Sequence, residues 1–401
     1  MSVSPEKAPL NELITLLTSH DDIARRINHF ALSGCRDVSF ANLEALLKPL
    51  TSLRTLDLTN VSISRPLSSE PEVVTGPVVP ALATLSIKDY NVIEQGVDIF
   101  FRLLSLFGEI DDLHLSARQP SSTRRGTRNL DDLESRIGLI LHSPAQITNL
   151  TMGSLPLHFF AQLCHPWSRP FWASVRSISV EDGLTSWAEI KQLGKVFAAH
   201  PTQFHRIVLK ASHKLVVPPD TSLGGASGYH RIAFLLGLAA NPFLPSVPNH
   251  IKDMKKQWKL LRLRQCEALD GLTVTLDHSD EEIHDHGWEV FSITVDLLAH
   301  LPSCVRQVRI TMVPNFNTAQ LVGIGSTQPP TILLEVLNWQ ALDKVLSVPR
   351  FKRVKIVLEI VRLKNTHFAR QRYWQVLDNI RDRLPLLSSR NMLAFSVCDR
   401  S

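Results

Sequence analysis

The amino-acid sequence predicts an α/β fold, an irregular solenoid in which short parallel strands build a curved sheet and helices line its outer side. Three observations predict it. Apolar residues at positions 1, 4 and 6 of a short segment recur along the chain, helical stretches fill the intervals, and a proline often stands ahead of the next strand. Proline lacks an N–H and disfavours a helical residue before it, so it ends the helix and hands the chain to the strand.

The pattern begins with Ile27-Phe30-Leu32, Leu53-Leu56-Leu58, Leu82-Leu85-Ile87, Ile110-Leu113-Leu115 and Ile147-Leu150-Met152. It continues with Val175-Ile178-Val180, Phe204-Ile207-Leu209, Leu269-Leu272-Val274, Val305-Val308-Ile310 and Phe351-Val354-Ile356. Most starts are 26 to 37 residues apart, with longer steps of 65 and 46. Apolar residues three and four apart predict helices over 97–107, 130–141, 187–199, 290–301 and 339–346. The prolines are Pro49, Pro80, Pro144, Pro201, Pro302 and Pro349. Parallel neighbours need a crossover, which these helices supply.

Positions 1, 4 and 6 match the leucine-rich repeat. The first unit, Ile27-Asn28-His29-Phe30-Ala31-Leu32-Ser33-Gly34-Cys35, resembles the cysteine-containing subtype in its ninth residue and its 26-residue step. Val61, Tyr90, Arg118, Leu155, Gly183 and Ser212 replace that cysteine later, so an irregular turn after the strand is expected. The expected organisation is an N-terminal helical cap over 1–26 and a solenoid over 27–401. A loop and helix insertion at about 213–268 interrupts it, with helices over 229–240 and 247–263. Segments 62–79, 117–128 and 215–228 read as loops from their Ser, Pro, Gly or Arg content.

The C-terminal part resembles the leucine-rich-repeat half of fungal F-box proteins, as found in mushroom-forming fungi. It carries Trp339-Gln340-Ala341-Leu342-Asp343, Phe351-Lys352-Arg353-Val354-Lys355-Ile356, Leu384-Pro385-Leu386-Leu387 and Arg390-Asn391-Met392-Leu393. The resemblance implies a substrate receptor that docks through an F-box on the adaptor of a cullin ubiquitin ligase. Leu10-Asn11-Glu12-Leu13-Ile14 echoes the opening of that module, but its three helices do not fit in the 26 residues before the first repeat. The expectation is therefore the recognition half, with the F-box lost or outside this sequence.

Composition bounds the function. Hydrophobic residues make up 44% and charged residues 20%, so the chain can bury a core. Lys+Arg 43 against Asp+Glu 38 is too even for a dedicated nucleic-acid binder. Five cysteines without paired spacing exclude a disulfide framework or zinc ribbon. No apolar signal or membrane-spanning run is present, so a cytoplasmic or nuclear protein with no membrane partner is expected.

No motif predicts an enzyme, a cofactor or a metal. The cluster from Asp277 to His286, with His278, His284 and His286, matches no zinc spacing and reads as a helix-entry loop. Gly224-Gly225-Ala226-Ser227-Gly228 lacks the Gly-Lys-Ser/Thr ending of a phosphate loop, and Gly323-Ile324-Gly325-Ser326 lacks nucleophile-elbow spacing. Cys164 and His165 are sequence neighbours, which seldom face each other as a catalytic pair, so Cys164 reads as packing.

Charge yields the candidate site. In a horseshoe, positions 2, 3, 5, 7 and 8 line the concave face or its rim. In the first six units they hold Arg54, Lys88 and Arg176 against Asp57, Asp89, Asp111, Asp112, Glu181 and Asp182. In the last four they hold Arg206, Lys210, Arg306, Arg309, Lys352, Arg353 and Lys355 against Asp270 alone. The expected function is non-enzymatic recognition of a protein partner, with Arg206, Lys210, Arg306, Arg309, Arg353 and Lys355 receiving an acidic segment and Asp111 and Asp112 in the acidic half. Unit alignment puts Arg309 beside Lys355, two cations with nothing acidic to relieve them. The alternative is nucleic-acid binding through a basic 252–264 helix and the basic half.

Overall fold

The computed structural model describes residues 2–3, 10–36, 38–64, 76–88, 97–117, 145–153, 155, 157–184, 187–211, 258–277, 287–313, 337–362 and 370–399. They fall into two compact units, Met1–Asp182 and Gly183–Ser401. In each unit the strands are parallel neighbours in chain order, the α/β arrangement of a leucine-rich-repeat-like solenoid.

The first unit carries β1 (Ser2–Val3), β2 (His29–Ser33), β3 (Thr55–Thr59), β4 (Val79–Lys88), β5 (Phe107–Ser116), β6 (Gln146–Met152) and all but the last two residues of β7 (Ser177–Leu184). The fourth position of every unit aligns across the ladder: Phe30, Leu56, Leu85, Leu113, Leu150 and Ile178. The sixth aligns likewise, from Leu32 and Leu58 through Ile87, Leu115 and Met152 to Val180. All are buried, as alternation along a strand requires for side chains sharing one face. The residues between them, Ala31 and then the polar Asp57, Ser86, His114, Thr151 and Ser179, occupy the other, open face.

Helices cover the apolar face. Phe40–Leu47 starts where the Ser39 hydroxyl accepts from the Asn42 amide at 3.1 Å. The helix Val97–Leu104 meets Phe159, Phe171 and Trp167 through edge-on ring contacts of 5.5–6.0 Å. It is shorter than the predicted 97–107 because β5 already begins at Phe107. The turn after β2 uses Gly34 at φ 70° and the turn after β3 uses Asn60 at φ 55°. Their amides donate to the last carbonyls of the next strands, Thr59 and Lys88. Cys35 and its equivalent Val61 are both buried, so valine fills the cysteine's place without upsetting the turn. Before β2, helices Leu10–Ser19 and Asp21–Ala24 occupy part of the first 26 residues, and β1 pairs with β2.

The second unit carries β8 (Arg206–Ala211), β9 (Gly271–Asp277), β10 (Gln307–Val313), β11 (Lys355–Arg362) and β12 (Leu393–Asp399). The helices Trp187–Ala199 and Trp339–Leu346 have the predicted bounds, while the third runs over Gly287–Leu298 rather than 290–301. Asn338 caps Trp339–Leu346 by accepting from the Ala341 amide at 3.0 Å. Two of the four C-terminal motifs quoted above meet. The buried carboxylate of Asp343 accepts from the Leu386 and Leu387 amides at 3.0 and 2.9 Å, satisfying the start of the helix Pro385–Ser389.

Four predictions need correction. β11 is offset by two residues: Val308 aligns with Ile356, not Val354, and Ile310 with Leu358. β12 adds a strand that the pattern missed, because Arg390 stands where its first leucine would be. Pro80 lies inside β4, which starts at Val79, rather than ahead of it. Within the predicted 247–263 helix, the described part is a 3₁₀ turn at Trp258–Leu261 and a second at Leu263–Gln265. Arg262 between them sits at φ 54°, a left-handed conformation that no α-helix can pass through.

The predicted helices over 130–141 and 229–240, Pro144, the loops over most of 62–79 and 117–128, and the loop 215–228 lie outside the described residues. So do His278, His284 and His286, both glycine-rich segments, and residues 213–257 of the insertion.

Candidate functional site

The open face of the second unit is built from alternate residues of β8 to β12. Leu272, Val274 and Leu276 bury one side of β9, leaving Gly271, Thr273 and Thr275 on the other. On β8 the same alternation buries Ile207 and Leu209 and presents Arg206, Val208 and Lys210. On β10 it presents Gln307, Arg309 and Thr311. Register places Arg206 beside Gly271, Lys210 beside Thr275 and Arg309 beside Thr273. Small side chains on β9 therefore lie between long cationic ones on β8 and β10, strands about 10 Å apart at ordinary sheet spacing. The result is a trough with cationic walls.

The residue that governs Arg309 is one the charge pattern did not name. Glu359 is 9% exposed, yet it points from β11 onto this face beside Thr311 and Ser396. Its carboxylate accepts from the Arg309 guanidinium at 2.9 Å, the Thr311 hydroxyl at 3.1 Å and the Ser396 hydroxyl at 3.0 Å. Three donors, one of them charged, are what a carboxylate with so little access to water needs. The nearby Cys398 thiol is pushed up by burial first and then by Glu359's charge, while Arg309 pulls the other way.

The expected Arg309–Lys355 repulsion is absent from this arrangement. Arg309 aligns with Val357, and Lys355 aligns with Gln307. A slip of two residues keeps each side chain on its face and changes only its neighbours. The same slip moves Lys352 and Arg353 off the open face into the turn ahead of β11. Seven cations against one acid become five (Arg206, Lys210, Arg306, Arg309, Lys355) against two (Asp270, Glu359). Arg306 pairs with Asp270 at 3.4 Å, with side chains 82% and 59% exposed, a solvated pair of little energetic weight.

The predicted acidic residues lie in the first unit. Asp112 accepts from the Asn149 side chain at 2.9 Å, and Asp111 is exposed. One row of that open face runs Asp57, Ser86, His114 and Thr151. It holds the three side-chain types of a serine relay, but Ser86 stands between the acid and the imidazole. A relay needs the imidazole in the middle. Asp57 instead faces His29, with Oδ2 3.4 Å from Nε2.

Cys164 is buried, and the His165 ring lies against Trp167 at 5.4 Å. Among the described residues no group of His, Cys, Asp and Glu is arranged to hold a metal ion, and no helix is long and apolar enough to cross a membrane. Of the basic stretch offered for nucleic acid, Lys252, Lys255 and Lys256 lie outside the described residues. Lys259, Arg262 and Arg264 sit on the broken 3₁₀ turns, not on one helical face. No protein-family model matches this chain, and no curated protein matches it.

Proposed function

We infer that the second unit recognises a protein partner by accepting an acidic segment along the trough over β9. The observation that carries this reading is the placement of Gly271, Thr273 and Thr275 between Arg206 and Lys210 on one side and Arg309 on the other. An extended chain fits a channel two strands wide, and the cations on its walls favour carboxylates. Arg309 is held by Glu359, so its geometry is fixed before a ligand arrives.

The resemblance to the leucine-rich-repeat half of fungal F-box proteins extends the reading to a substrate receptor of a ubiquitin ligase. Affinity purification from the native cell tests that extension. A cullin adaptor recovered with the chain supports it, and a protein partner without one leaves an interaction scaffold.

The trough itself is tested by association rates of a fluorescein-labelled polyglutamate peptide at low and high salt. Arg206→Glu with Lys210→Glu should slow association about tenfold at low salt and flatten its salt dependence. Equal rates for wild type and variant would remove the trough as the site. Arg309 is left intact in this test, since reversing it would set a second carboxylate against Glu359.

A further inference from the structure

Away from the trough, two arginines from distant segments converge on one oxygen. Arg264 precedes β9 and Arg350 precedes β11, yet both guanidiniums reach the carbonyl of Ala299, at 3.5 and 2.6 Å. Ala299 directly follows the helix Gly287–Leu298, so this carbonyl belongs to the negative end of a helix dipole. The two side chains line an open pocket of about 450 Å³. Leu301 and Pro302 form its apolar part, and Ser303 and Cys304 add a hydroxyl and a thiol.

A single carbonyl is a small acceptor for two guanidiniums, each of which carries five N–H donors. The Arg350 pKa is lowered by burial first and then by the like charge of Arg264. Arg350 is also held in place, its guanidinium 4.5 Å over the Phe351 ring. Glu267 is the pocket's carboxylate, but among the described residues it forms no ion pair with either arginine. Two converging forks that, among the described residues, leave most donors unused and engage no counter-charge suit a tetrahedral dianion with several acceptor oxygens.

We propose that the pocket between Arg264 and Arg350 binds a phosphate monoester. Its volume admits the phosphate and a small organic group, with Leu301 and Pro302 against the latter. The site shares no residue with the trough over β9, so either can fail without the other. The phosphate can be that of a small metabolite or of a phosphorylated side chain, and one experiment separates these sources.

Titration calorimetry at low salt should show saturable binding of methyl phosphate to the full chain. Arg264→Gln with Arg350→Gln should weaken it about tenfold or more, since each removes charge-assisted hydrogen bonds. Glu267→Gln leaves the arginines in place and should tighten binding several-fold by removing a repelling charge. A phosphoserine peptide that binds at least tenfold tighter than methyl phosphate assigns the site to modified protein, and equal affinity assigns it to a small ligand. No saturable binding to the wild type overturns the proposal, as does equal affinity in the arginine variant. Should that variant not fold, an unchanged affinity in Glu267→Gln overturns it.

Discussion

Glu359 shows how far a single side chain can redirect a charge pattern. In the sequence it is one acid in the run Val354 to Val361, otherwise apolar except for Lys355. An acid inside such a run is a signal in its own right, because burial demands partners for it. Those partners, Arg309 and Thr311 on β10 and Ser396 on β12, come from two strands distant in sequence, which no local pattern brings together. Cysteine chemistry is equally set by surroundings. Cys266 is fully buried and accepts, at its carbonyl, the Cys304 thiol at 3.3 Å. Burial first, and then Cys304, pushes its pKa up to about 12. Only the thiolate is alkylated, and at pH 8 such a group is ionised to roughly one part in 10⁴. Iodoacetamide should therefore leave Cys266 unmodified in the folded chain and label it once denaturant unfolds the chain. Labelling of native Cys266 at the rate of a free thiol would refute its burial.

At the scale of elements, position and register separate. Alternating apolar residues fix which face of a strand is buried, and within each compact unit the predicted repeats keep the expected register, except at β11. β11 slips because Val354, Ile356, Leu358 and Ile360 all alternate, so two alignments satisfy the same faces. The broken helix near 258 has a different cause, a close approach that composition does not reveal. A Cβ on Gly194, in the helix Trp187–Ala199, would lie 1.7 Å from the Leu260 carbonyl oxygen. Backbone meets backbone there, so the neighbour has no side chain to swing away. Gly194→Ala gains at most about 1 kcal/mol of helix propensity. Overpacking costs about 1–3 kcal/mol, and the obstruction is rigid, so the cost should win. The expected outcome is a lower thermal midpoint for Gly194→Ala, while Lys195→Ala on the exposed side of the same helix changes little. A raised midpoint for Gly194→Ala would mean that the 3₁₀ turn is not packed on this helix.

Across the molecule, stability follows from the repetition itself. Each strand of the first unit pairs only with its neighbours in chain order, and each buried leucine of the ladder aligns with its equivalents on the adjoining strands. Such an array behaves as a sum of repeat energies and nearest-neighbour interfaces. Leu58 on β3 is 1% exposed and sits between Leu32 on β2 and Ile87 on β4. Leu58→Ala should cost about 2–5 kcal/mol through the cavity it leaves. Hydrogen exchange tells where that cost is felt. Amides of β2, β3 and β4 should lose protection, while those of β6, three strands from the cavity, should lose far less. The large contact between β4 and β5, whose strands run ten residues each, is the interface expected to contain the damage. Equal loss of protection on β3 and β6 would show that the seven strands open as one cooperative block rather than repeat by repeat.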